Sequence, residues 1–320
     1  MLLALLAGGV ANGAADSSAA NVPAKAGQDV LALDCAHVSS ADVAHRLAPV
    51  PAPRIILFQG SLTTTTMQSF GEFLIAMGYS EERIRNPRDG SLSQSSFGDS
   101  LTWAGTLAWY YENEGMMPVL VGHSQGGMMT IRILHELDGA FHDDIPVRDP
   151  RNGEALARTT IRDPVSGAQR PVRGIKVDYA AAIATGKLPR IFLGQWDMIA
   201  KLRRIPDTAV DFTGFSIPWD PIAGTFGDPE PYVATGTARV RNVLLPGSTS
   251  HVGVPDTDHL AGNAVTRAWI DAYAPENSAP PPVVAGVDTA NLLHAADIWF
   301  SVKQNWCRSA QQRLRAEGVR

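Results

Sequence analysis

Pro118-Val119-Leu120-Val121-Gly122-His123-Ser124-Gln125-Gly126-Gly127 is the stretch whose reading decides the fold. A short, continuous apolar run such as Val119 to Val121 is expected of a strand buried on both faces. From Gly127 to about Leu137 the apolar residues take up helical spacing. Gly-His-Ser-Gln-Gly is therefore a sharp strand-to-helix turn. Gly122 and Gly126 leave the room such a turn needs, because the helix backbone passes close to the strand.

The same rhythm extends outward. Arg54-Ile55-Ile56-Leu57-Phe58 reads as an earlier buried strand, followed by a Gly/Ser/Thr loop from Gly60 to Thr66 and a helix from Met67 to Met77. Phe97 to Tyr111 reads as a second helix. Arg190-Ile191-Phe192-Leu193 and Val240 to Leu245 read as later strands, and Gly262 to Tyr273 as a closing helix. Strands alternating with helices predict an α/β protein with a mostly parallel sheet flanked by helices. Residues 138–188, rich in Arg, Asp, Gly and Pro, break the rhythm and are expected to form a cap or lid insertion over the sheet's C-terminal edge. Residues 25–278 thus form one α/β domain. Residues 279–320 add a Pro-rich linker (Pro280 to Pro282) and a C-terminal amphipathic helix from about Asp288 to Leu314.

The chain has 320 residues, 45% of them hydrophobic and 18% charged, with a formal net charge of −5. That composition supports a sizeable core. It lacks the dense Lys/Arg block of a nucleic-acid partner or an anionic-membrane binder. GxGxxG, Walker and His-rich metal patterns are missing, so no cofactor or metal is expected. Met1 to Ala7 followed by small residues reads as a signal peptide over 1–24, processed on export to a secreted or periplasmic site. It departs from the usual pattern in having no Lys or Arg before Lys25. No stretch is apolar for long enough to span a bilayer. In an exported chain Cys35 and Cys307 can pair and tie the N-terminal segment to the C-terminal helix, or remain as two thiols.

A serine hydroxyl is a weak nucleophile and needs a base to take its proton as it attacks. It must also project from the backbone toward a carbonyl whose developing oxyanion meets N–H donors. Ser124 on the turn satisfies the second requirement. In this setting the motif resembles the lipase and esterase branch of the α/β-hydrolase superfamily, over roughly residues 50–275. The resemblance implies an α/β-hydrolase fold and a serine-dependent carboxylic ester hydrolase acting on small-molecule or lipid esters. It also implies a second oxyanion donor on the loop after the first strand. Phe58-Gln59-Gly60-Ser61 is the matching site, with Gln59 where such enzymes often carry His, and Gly60 to Thr64 is similar to a Gly-Thr-Gly-Thr-Thr oxyanion loop. By that match the donors are the amides of Ser61 and Gln125.

The base is expected after the last core strand. His251 in Ser250-His251-Val252-Gly253 is similar to the histidine loop of some lipases; His259, at a helix entrance, is the alternative. The acid is expected between nucleophile and base. Asp220 leaves room before His251 for one connection and one strand, whereas Asp197 requires a further insertion. Ser124, His251 and Asp220 are thus the expected catalytic set. Acyl transfer, thioester or polyester cleavage by the same groups, and a binding protein on a lapsed hydrolase scaffold, remain open as alternatives.

Overall fold

The computed structural model describes residues 24–62, 64–276 and 279–318. The expected leader over 1–24 falls almost wholly outside them. Five strands form one sheet: β1 (Ile55–Phe58), β2 (Val119–His123), β3 (Val177–Ile183), β4 (Ala209–Ser216) and β5 (Arg239–Leu244). They lie side by side in chain order, every pair parallel. Parallel strands need crossover segments, and here these place helices on both faces.

Side-chain alternation along each strand divides the interior into two cores. Ile55, Leu57, Val119 and Val121 face one layer with α2 (Gln68–Ala76), α5 (Ala264–Ala272) and α6 (Leu292–Ala316). Ile56, Phe58 and Leu120 face the other layer, with α3 (Ser100–Glu114) and α4 (Gln125–Leu137). A first helix, α1 (Ala24–Leu31), packs on α6. The side of α6 that carries Leu292, Ala296, Trp299, Trp306, Ala310 and Leu314 is buried. This helix is therefore part of the core. Cys35 and Cys307 form a disulfide that fastens the N-terminal segment to α6.

Helix limits follow local chemistry. The side chain of Asp99 caps α3 by accepting from the Leu101 amide at 3.1 Å, which leaves Phe97 outside the helix and exposed. Gly115, at φ 73°, closes its other end.

Two expectations are corrected. Residues 138–188 are not one insertion, because Val177–Ile183 is the middle strand of the sheet. Its Tyr-Ala-Ala-Ala-Ile sequence lacks a β signature. The small alanines serve packing instead: a Cβ on Gly127 of α4 would stand 3.1 Å from that of Ala182. Nor does the part that precedes this strand cover the C-terminal edge. Its hairpin, Thr160–Arg162 with Gln169–Pro171, joins the far end of the helix layer. There Arg158 pairs with Glu112, the Arg162 amide donates to Glu112 at 2.7 Å, and the Gly174 amide donates to Leu137 at 2.8 Å. Helix α4 starts just after Ser124, ends at Leu137 and is about 20 Å long, so the hairpin's foot sits at the opposite edge from Ser124. The second correction concerns Arg190 to Leu193. Arg190 to Phe192 belong to a short helix, Leu188–Phe192, with Pro189 in its first turn and Leu193 as its C-cap, and not to a strand.

Candidate active site

The site is assembled at the C-terminal ends of the parallel strands, on the turns that follow β1, β2, β4 and β5. Ser124 directly follows β2 with φ 54° and ψ −112°. A non-glycine residue in such a conformation is strained and persists only where its surroundings hold it. Here the holding contacts come from β3 and the turn after it. The Ser124 amide donates to Ile183 at 2.8 Å, and the Thr185 hydroxyl donates to the Ser124 carbonyl at 3.1 Å. The flanking glycines are enforced by backbone approach. A Cβ on Gly122 would lie 2.2 Å from the carbonyl of Gly126, and one on Gly126 would lie 2.0 Å from the Phe58 oxygen.

Ser124, His251 and Asp220 meet. Nε2 of His251 lies 3.0 Å from Oγ of Ser124, and its Nδ1 lies 2.6 Å from Oδ2 of Asp220. The other Asp220 oxygen accepts from the amides of Ile222 (3.1 Å) and Ala223 (3.0 Å). Burial alone would raise the Asp220 carboxyl. The His251 hydrogen bond and the two amides outweigh it, so the group sits below the usual carboxylate range. Ionised aspartate only accepts, which makes Nδ1 of His251 the donor and leaves Nε2 free to take the serine proton. Trp219, just before Asp220, has φ 56°, so the strained positions include the residue that presents the acid.

The alternative candidates lie elsewhere. Asp197 pairs with Arg132 at 2.8 Å. His259 donates from Nε2 to the Asp288 carbonyl at 2.8 Å. Gln125 begins α4, where the first amides of a helix have no intrahelical acceptor. On the other side the loop after β1 passes over the serine. A Cβ on Gly60 would stand 3.2 Å from Nδ1 of His123 and 3.7 Å from Cβ of Ser124. Ser61 follows on that loop and is exposed.

Two further residues flank the site, His123, which precedes the serine in the sequence, and Arg190, which the sequence does not place there. His123 is 1% exposed, its ring centroid 5.1 Å from that of His251. Burial, with the His251 charge adding to it, pulls its pKa down to about 3, so the ring is neutral. Arg190 is also 1% exposed. Its Nη1 donates to the side-chain oxygens of both Gln125 and Gln195, and its Nε donates to the Gly186 carbonyl at 3.2 Å. No carboxylate pairs with it among the described residues, and burial draws its pKa down to about 10. The one signal in the sequence was an arginine set inside the apolar run Leu188 to Leu193.

The turns that follow the strands expose several large apolar side chains. Leu62 (56% exposed) follows β1; Phe192 (79%) and Trp196 (63%) follow β3; Trp219 (72%), Ile222 (51%) and Phe226 (69%) follow β4. No family model, curated protein or solved structure matches the chain. Among the described residues no helix is long and apolar enough to cross a membrane.

Proposed function

We propose that this protein is a serine hydrolase of the α/β-hydrolase type that cleaves carboxylic esters through an acyl-enzyme. The observation that carries the proposal is the chain of contacts from Ser124 through His251 to Asp220, beginning at a serine with positive φ. In this reading Ser124 Oγ attacks the ester carbonyl while Nε2 of His251 takes its proton. Ionised Asp220 keeps the imidazole in the right tautomer and stabilises its positive charge. The amides of Gln125 and Ser61 hold the oxyanion. The imidazolium then gives its proton to the leaving alcohol. Water enters, loses a proton to the same nitrogen and releases the acid, restoring Ser124.

The exposed apolar side chains on the turns around Ser124 favour esters with apolar acyl or alcohol parts, lipid esters included. Clusters of this kind mark surfaces that meet other apolar material. The walls of the acyl pocket would be the segments 188–196 and 219–226, and not the hairpin at the far edge. The Cys35–Cys307 disulfide supports an oxidising location, secreted or periplasmic.

The direct test is turnover of p-nitrophenyl esters of increasing chain length, with an added alcohol as competing acceptor. Hydrolysis that rises with chain length and disappears in Ser124→Ala supports the proposal. A transesterified product would assign the same site to acyl transfer. No turnover of any ester, with the fold intact, would leave the lapsed-scaffold reading standing.

A further inference from the structure

No dense basic block is visible along the chain, yet the fold gathers one. A cavity of about 180 Å³ lies against the outer side of β1, the edge strand of the sheet. Five arginines from three separate segments line it: Arg54, the group Arg83, Arg85 and Arg88, and Arg148. No aspartate or glutamate is among its lining residues. Trp103 and Tyr110, one turn pair apart on α3, supply its aromatic wall.

The five guanidinium groups are not equally engaged. Arg54 and Arg83 share Glu114, at 2.8 and 2.9 Å, and Arg54 also stacks over the Tyr110 ring at 4.6 Å. Arg85 pairs with Glu81. Arg148 has only the Gly153 carbonyl as a side-chain partner, and the guanidinium of Arg88 has no ion-pair or hydrogen-bond partner among the described residues. Glu114 and Glu81 are the only carboxylates ion-paired with the five cations among the described residues. Arg88, on which Asp89 acts only electrostatically, and Arg148 form no ion pair and border the same space. Guanidinium forks match carboxylate and phosphate oxygens in pairs, and a planar body is held well between an indole and an arginine-backed phenol ring.

We propose that this cavity is a binding site for a small organic anion, one carboxylate or phosphate group on a planar apolar body. The anionic group sits between Arg88 and Arg148, and the planar part against Trp103 and Tyr110. The site is separate from the Ser124 turn, and the proposal does not rest on the ester-hydrolase reading.

The test uses phenyl phosphate and benzoate as probes, with inorganic phosphate and benzyl alcohol as the two halves of the ligand. Binding is read by calorimetry on the full chain and on the Ser124→Ala variant. One-to-one binding is expected for at least one of the two ring-bearing anions, with each half at least about tenfold weaker. Affinity should fall as salt is raised. Arg88→Ala, which removes an exposed side chain with no ion pair or hydrogen bond of its own among the described residues, should weaken the probe at least about tenfold with an unchanged melting temperature. Arg148→Ala should do the same. Binding that is lost in Ser124→Ala would move the ligand to the other site and overturn the proposal. So would no detectable binding of either ring-bearing anion, or binding unaffected by Arg88→Ala.

Discussion

Oδ2 of Asp220 lies 2.6 Å from Nδ1 of His251, two side chains brought together from the turns after β4 and β5. Both are buried, at 2% and 8% side-chain exposure, so solvent does little to weaken the contact. Asp220→Asn keeps the shape but can donate to Nδ1, which would favour the wrong tautomer. The expected result is a fall in ester turnover of about 10³–10⁴-fold with little change in KM. Steady-state kinetics beside a thermal melt will check it. An active Asn variant would show that the carboxylate does not orient His251 in catalysis.

Arg190 reaches the site through Gln125. Its Nη1 holds the side-chain oxygen of the residue whose amide is assigned to the oxyanion. Arg190→Met preserves most of the buried volume and removes that hold. The expected effect is a loss of roughly tenfold to a hundredfold in kcat, smaller than removal of an oxyanion donor itself. KM should stay nearly constant. If kcat is unchanged in a folded variant, the arginine only fills space.

His123 sets an acid limit on stability. The unfolded chain takes up a proton near pH 6.5, whereas the buried ring in the fold does not until about pH 3. Stability is therefore complete above pH 6.5 and is lost as the pH falls through that window. The loss is on the order of 5 kcal/mol across the whole window. His294, whose burial lowers it to about 4, adds to the same trend. Denaturant unfolding at pH 7 and pH 4 should show a smaller loss for His123→Phe than for the parent. Equal losses would mean that the ring protonates in the fold as easily as in water.

The disulfide joins residues 272 positions apart, so it constrains nearly the whole chain when unfolded. In the chain-entropy picture a loop of that length stabilises by about 5 kcal/mol, less whatever structure the unfolded state retains. Denaturation midpoints with and without reductant should differ clearly. The paired Cys35→Ser, Cys307→Ser variant should match the reduced protein.

What was legible in the sequence was whatever local chemistry dictates. The strand Val119–His123, the bend at Ser124 and the helix after it follow from periodicity and from two glycines with no room for a side chain. Ser124 is a candidate by its place on that bend, and His251 and Asp220 by their order and spacing after it and by the resemblance of the histidine loop to that of some lipases. The middle strand was hidden because Val177–Ile183 is rich in alanine, a residue with no strand preference. Its place in the sheet is set by close packing against α4. Arg190 and the arginine-lined cavity were hidden for another reason. Both depend on contacts between segments far apart in the chain, which no window of sequence contains.

Reaction with a fluorophosphonate, followed by peptide mass mapping, tests the central claim most directly. The arrangement of Ser124, His251 and Asp220 predicts a single adduct on Ser124, abolished by His251→Ala and retained by His259→Ala. An adduct on another residue, or equal loss in both histidine variants, would contradict it.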